Sequence, residues 1–238
     1  MDISLKDQKQ FIVTTHSPTL LSSFDRESRI FLEKKDNGDY RAIPRISVNA
    51  AFSKMDSEIF PLINLFCEDK ESVRIINKAL GYIQENGHND IHKMVNVVPS
   101  GANSQVKENY DVFKRTWGFS KINIGYAAVF DGDQRVAYSP IIGTEDRIFF
   151  LFSSEAPEKF LLRHYLSVSS NQTLQYHLDN SPPHILFEKC VQESIATDQS
   201  EVFERLYKKI LLSVDYKAWL EQFQKFILET CTYFSEKL

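Results

Sequence analysis

The chain has 238 residues and a formal charge of −4, enough length for one large domain or one domain with attachments. With 42% hydrophobic and 25% charged residues its composition is that of a chain that folds. No global basic field surrounds it, a weak argument against a simple DNA-coating protein; contact with a polyanion needs a local basic patch or bound cations. Cys67, Cys190 and Cys231 are odd in number, far apart and outside any C-x-x-C spacing, so neither a zinc site nor a disulfide framework is expected, and a reducing cytoplasm fits. No apolar run approaches the roughly 18 residues of a membrane span, and the start MDISLKDQKQ has no apolar signal core.

In chain order, Phe11 to Thr15 reads as a short strand. It leads into a polar turn with His16, Ser17 and Pro18, then a helix start at Leu20 and Leu21. Arg29 to Leu32 and Tyr40 to Ile43 flank KKDNGD, whose Asn37-Gly38 predicts a β-hairpin. From Pro61 strands and helices alternate. Leu62 to Cys67 is a buried-type strand, and Val73, Ile76, Leu80 and Ile83 then share one helical face, ended by Gly87. Met94 to Val98 predicts a second strand, followed by a helix with Val106, Tyr110, Phe113 and Trp117 on one face. Ile122 to Phe130 and Ile148 to Phe152 give a third and fourth strand, and a helix begins near Pro157.

Strands separated by helix-length segments imply an α/β fold, a Rossmann-like parallel sheet flanked by helices and joined by right-handed crossovers. After Ser167 the segment through NQTLQYHLDNSPP reads as loop. Val202, Leu206 and Ile210, then Trp219, Phe223, Phe226 and Ile227, predict two tail helices. Trp117 and Trp219 are expected as core anchors.

Functional groups in an open parallel sheet gather beyond the carboxyl ends of the strands. Glu68 follows the first strand in FCEDKES, Ser100-Gly101 the second in VVPSGANS, and Asp131-Gly132-Asp133 the third in AVFDGD; SSEAPEKF after the fourth brings Glu155 and Glu158. Alone, Asp-Gly-Asp is a polar loop. Joined by Glu68 at one rim, the aspartates place about three like charges together, and such a cluster raises carboxyl pKa values or recruits cations. Hard divalent ions suit all-oxygen ligands, and two such ions roughly 4 Å apart can activate water and stabilise the leaving oxygen of a phosphodiester.

An acid after the first strand, a glycine turn after the second and D-x-D after the third together resemble the TOPRIM domain of topoisomerases, primases and several nucleases. The resemblance spans about residues 60 to 167. It implies Glu68 as metal ligand or general acid-base, and Asp131 and Asp133 as catalytic metal ligands, with Gly132 giving the turn freedom to aim both carboxylates. PEKFLL resembles the late acidic position of TOPRIM nucleases, which selects Glu158 over Glu155 for a further metal contact. The family's usual glycine after the first acid is Asp69 here, and Ser72 stands where a second acid is often found, so Glu71 is the substitute ligand.

FIVTTHSPTLLSSF resembles the switch-histidine segment of ABC-type ATPases, which implies His16 as a sensor of the nucleotide γ-phosphate. No two of the eight glycines are five apart, so the chain has no G-x-x-x-x-G-K-[ST] loop and is expected not to hydrolyse ATP alone. The order of switch histidine, hairpin, acidic α/β domain and helical tail is similar to the carboxyl-terminal half of the OLD (overcoming lysogenisation defect) family, in which an ABC-type ATPase is fused to a TOPRIM nuclease. Members serve in bacterial anti-phage defence of Gabija and retron types.

The organisation implied is residues 1–55 as the end of an ATPase domain, 56–167 as the metal-dependent nuclease domain and 168–238 as a helical tail completing it. The function implied is endonucleolytic cleavage of DNA with Mg2+ or Mn2+, two ions in all. ATP would act through a P-loop on a missing segment or a separate subunit, and the chain would form a homo-oligomer. The family also implies a catalytic lysine near the carboxyl terminus, which no local motif assigns to Lys208 or Lys209. Two alternatives are an RNA-cleaving enzyme, motivated by Asp69, and a non-catalytic scaffold.

Overall fold

The computed structural model describes residues 11–35, 38–55, 61–119, 124–143 and 146–237. Ile63, Leu65 and Phe66 are almost wholly buried, as β-rich runs are when covered on both faces. They lie in β3 (Ile63–Cys67), which pairs in parallel with β4 (Val95–Pro99) on one side and β5 (Gly125–Phe130) on the other; β5 pairs in parallel with β6 (Ile148–Phe150). The sheet order is β4-β3-β5-β6. From β3 the chain therefore moves outward to β4, then returns across β3 to β5 and β6. The order of connection reverses between β3 and β5, the position where an open parallel sheet leaves a crevice beyond its carboxyl ends.

Alternation along the strands divides the core in two. Phe66, Ala128 and Phe130 face Val106 and Tyr110 of the helix Asn103–Thr116. Leu65, Cys67, Ala127 and Val129 face a larger cluster built from the helices Lys70–Glu85, Pro157–Leu166, Gln199–Ile210 and Val214–Lys237. In chain order the described helices are α1 (Pro18–Ser22), α2 (Val48–Met55), α3 (Lys70–Glu85), α4 (Ile91–Met94), α5 (Asn103–Thr116), α6 (Arg135–Tyr138), α7 (Pro157–Leu166), α8 (Gln172–Asn180), α9 (Leu186–Gln192), α10 (Gln199–Ile210) and α11 (Val214–Lys237).

Helix α3 begins where the Asp69 carboxylate accepts from the amides of Glu71 and Ser72 at 2.8 and 3.0 Å. It ends at Gly87, whose φ of 94 lets His88 N reach Ile83 O and Gly87 N reach Gln84 O. Trp219 is a core anchor as expected, its Nε1 donating to Phe150 O at 2.9 Å.

The hairpin forms between β1 (Ile30–Lys34) and β2 (Tyr40–Pro44), with Gly38 at φ 86. Asn37 of the expected turn lies outside the described residues. The expected strand Phe11 to Thr15 does not form. Its residues are irregular, Phe11, Ile12 and Val13 are 64%, 86% and 53% exposed, and no second strand among the described residues pairs with them. A strand needs a neighbour to take its backbone hydrogen bonds, and β propensity alone does not supply one.

The segment expected as loop after Ser167 contains α8, capped where the Asn171 carbonyl oxygen accepts from Leu174 N at 3.0 Å, with Leu174 and Leu178 buried at i, i+4. No described helix is long and apolar enough to cross a membrane.

Candidate metal centre

Glu68 is the first residue beyond β3 and Asp131 the first beyond β5, so both stand at the switch point of the sheet. They meet directly: the Asp131 amide donates to Glu68 Oε1 at 3.0 Å. The turn after β4 joins the same rim, with Ser100 N donating to Cys67 O and Gly101 N to Glu68 O, both at 2.8 Å, and Gly101 at φ 100. That conformation favours glycine, in keeping with the glycine turn read from the sequence.

Asp131 is 7% exposed, and its carboxylate is held from α3. Ser72 Oγ lies 2.6 Å from Asp131 Oδ1 and 3.3 Å from Asp69 Oδ1. A hydroxyl has one proton to give, and the shorter contact takes it. Ser72 stands where the resemblance led to an acid and instead positions one.

Among the described residues no cationic side chain pairs with Glu68, Asp131 or Glu158, whereas Glu71 has two such partners. Burial, then the charge of Glu68, pushes the Asp131 carboxyl up to about 8 against the opposing Ser72 hydrogen bond. Burial, reinforced by Asp133 and Asp69 and opposed by the Asp131 amide, pushes Glu68 up to about 7. Glu158, 6% exposed in the first turn of α7, is pushed up to about 7 by burial and by the charges of Asp69, Glu71 and Asp133. Glu71 is 2% exposed and raised by burial, partly offset by Arg74 at 3.1 Å and Lys70 at 3.6 Å. Its Oε1 has no hydrogen bond among the described residues. Behind them, the Cys67 thiol is pushed up to about 12 by burial and by Asp131, Asp69 and Glu68, and stays protonated.

Each sequence-expected acid is thus accounted for. Glu68 and Asp131 are in contact, while Glu71 and Glu158 are buried and share the same field. Asp133 is exposed, its carboxylate accepts from Gln134 Nε2 at 2.9 Å, and its charge acts on Glu68, Asp131 and Glu158. Glu155 forms a two-point pair with Arg163 at 2.7 and 3.0 Å, which separates it from Glu158. Asp69 is spent on capping α3. Lys208 and Lys209 are exposed in the last turn of α10. His16 is exposed just before Ser17, the residue that caps α1.

The role expected of Gly132 is corrected. Its φ is not positive. A Cβ there would lie 2.3 Å from Ser153 O and 3.0 Å from Phe152 O, so glycine is needed because the β6–α7 loop crosses directly over it. Ser153 itself sits at φ 75, a conformation uncommon for non-glycine residues. Arg135 of α6 fastens the adjoining chain by donating to Leu151 O at 3.0 Å.

The donor set fits a hard divalent cation: all-carboxylate, with raised pKa values that a cation would relieve. Among the described residues no three His, Cys, Asp or Glu side chains form a ready-made metal cage; of the expected triple, Glu68 is held by the Asp131 backbone amide and Asp133 is exposed. Comparison with protein-family models, curated proteins and solved structures found no match.

Proposed function

We propose that the chain is a divalent-metal-dependent nuclease of the TOPRIM type, cleaving phosphodiester bonds in DNA, and that it functions as an OLD-like anti-phage effector. The observation that carries the reading is the Glu68–Asp131 contact at the switch point of the sheet, where both carboxyls are raised and no cationic side chain is bonded to either among the described residues.

Glu68, Asp131 and Asp133 would hold one ion, and Glu71 with Glu158 would support a second. Bound magnesium or manganese supplies Lewis acidity toward a phosphoryl oxygen and lowers the pKa of water. The chain's own residues supply position and proton transfer. The Asp131 amide holds Glu68 by Oε1, leaving Oε2 to take a proton from an attacking water, and a carboxyl near 7 is suited to that exchange at neutral pH. Ser72 fixes the orientation of Asp131, and the β6–α7 loop resting on Gly132 limits movement of the turn between the aspartates.

His16 would read a nucleotide only with phosphate-cradling amides from elsewhere, and ATP would act through such a module. A homo-oligomer is part of the same reading. The RNA alternative, motivated by Asp69, stands beside this reading; Asp69 also caps α3.

Supercoiled plasmid and tRNA incubated in parallel test the reading. Nicking of plasmid is expected with Mg2+ or Mn2+, none in EDTA, and none by Asp131→Ala/Asp133→Ala. A double variant that cuts like the parent protein removes the assignment, and calorimetry showing no divalent-ion binding would favour a scaffold.

A further inference from the structure

The acids of the rim are not held alike. The Glu68 carboxylate accepts from the Asp131 amide, and the Asp131 carboxylate from Ser72. Asp133 is exposed, and its carboxylate has one hydrogen bond among the described residues: Gln134 Nε2 donates to Oδ1 at 2.9 Å, which leaves Oδ2 open. Glutamine is rich in rotamers, so a bond to the preceding residue alone would hold it poorly. A second bond holds it from the other side. Asn103 Nδ2 donates to Gln134 Oε1 at 2.5 Å across 31 residues of sequence, and both side chains are half-buried.

The direction of this chain of bonds matters. The two ends of a side-chain amide are nearly alike in shape and opposite in hydrogen bonding. A donor from Asn103 fixes Oε1 toward α5, so Nε2 is the end that meets the carboxylate; turned by half a rotation, Gln134 would set an oxygen against Asp133. Asn103 is the first residue of α5, where asparagine commonly bonds nearby backbone. There the Ala102 amide donates instead to Gln105 Oε1 at 2.9 Å, and the Asn103 amide reaches across to the D-G-D turn. The two aspartates are thereby braced from opposite faces of the sheet, Asp131 from α3 by Ser72 and Asp133 from α5 through Gln134.

We infer that Gln134, oriented by Asn103, is a positioning residue that holds the Asp133 carboxylate at the rim with Oδ2 free to meet a cation. The inference rests on the divalent-cation centre proposed above. Outer hydrogen bonds commonly fix ligating carboxylates, and their removal costs about 10–100-fold in metal affinity.

Calorimetric Mn2+ titration of the whole chain tests it. Gln134→Met keeps the side-chain length and removes both bonds, and it should weaken binding about tenfold. Asn103→Ala, at a helical position that alanine favours, should weaken binding about fivefold in the parent protein. It should have no further effect in Gln134→Met, because the two residues act in series; a role in packing alone would shift the melting temperature in EDTA and leave Mn2+ affinity where it was. Parent-like affinity in Gln134→Met, or effects that simply add in the double variant, would overturn the inference while leaving the metal centre in place. Should Gln134→Met not fold, parent-like affinity in Asn103→Ala overturns it. No Mn2+ binding by the parent protein would remove the metal centre and this inference together.

Discussion

The Ser72 hydroxyl donates to Asp131 Oδ1 at 2.6 Å, joining the first turn of α3 to the end of β5 across 59 residues of sequence. The bond favours the ionised carboxyl and opposes the upward push of burial. Ser72→Ala should therefore raise the Asp131 pKa further, cost about 1 kcal/mol of stability near pH 8, and weaken Mg2+ affinity at pH 7 by about tenfold, since the ion must displace a more tightly held proton. Calorimetric Mg2+ titration at pH 7 and pH 9 checks this. The deficit should shrink at the higher pH, whereas a purely packing role would leave it constant.

Gly132→Ala separates two accounts of that glycine. If backbone freedom were its purpose, alanine at its non-positive φ would cost almost nothing. A Cβ 2.3 Å from Ser153 O must instead displace the β6–α7 loop, at a cost of about 1–3 kcal/mol by analogy with overpacked cores. Thermal unfolding gives the number, and an unchanged melting temperature would contradict the loop contact.

The four strands, their helices and the acids at their ends were legible because periodicity and strand ends are local signals. The Ser72–Asp131 bond was not, since no pattern within α3 reveals what its first turn faces. Gly132 misled because D-G-D looks alike whether glycine serves a turn or makes room for another loop. The helix α8 did have a signal, Asn171 followed by Leu174 and Leu178 at i, i+4, masked by the surrounding Asn, Gln, Ser and Pro. Phe11 to Thr15 shows the converse: strong β propensity without a paired neighbour gives no strand.

Glu155 and Glu158 lie three residues apart but differ in partnership. Glu155 is neutralised by Arg163, whereas Glu158 is buried among like charges. Glu158→Gln should weaken Mn2+ binding and raise the melting temperature of the metal-free protein, because it removes a carboxyl already destabilised when ionised. Glu155→Gln should leave Mn2+ affinity within about twofold and lower stability by at most about 1 kcal/mol, the usual worth of a surface pair. Equal effects of the two variants on Mn2+ titration would remove Glu158 from the site.

The raised carboxyls also set a pH dependence with an unusual sign. Most native carboxylates have depressed pKa values and destabilise a protein as pH falls. Here Glu68 and Asp131 rise from 4.5 and 3.8 to about 7 and about 8, so between those limits the folded state binds more protons than the unfolded chain. Linkage then requires their contribution to be fully present below about pH 4 and lost as pH rises through about 7 and about 8. The metal-free protein should lose melting temperature from pH 6 to pH 8.5, and Glu68→Gln/Asp131→Asn should flatten that slope. Added Mg2+ should restore stability most at the alkaline end, where the carboxylates are ionised and the ion displaces no proton. A metal-free protein whose melting temperature rises over this interval, with a slope the double variant leaves unaltered, would show that the two carboxyls do not share the buried rim.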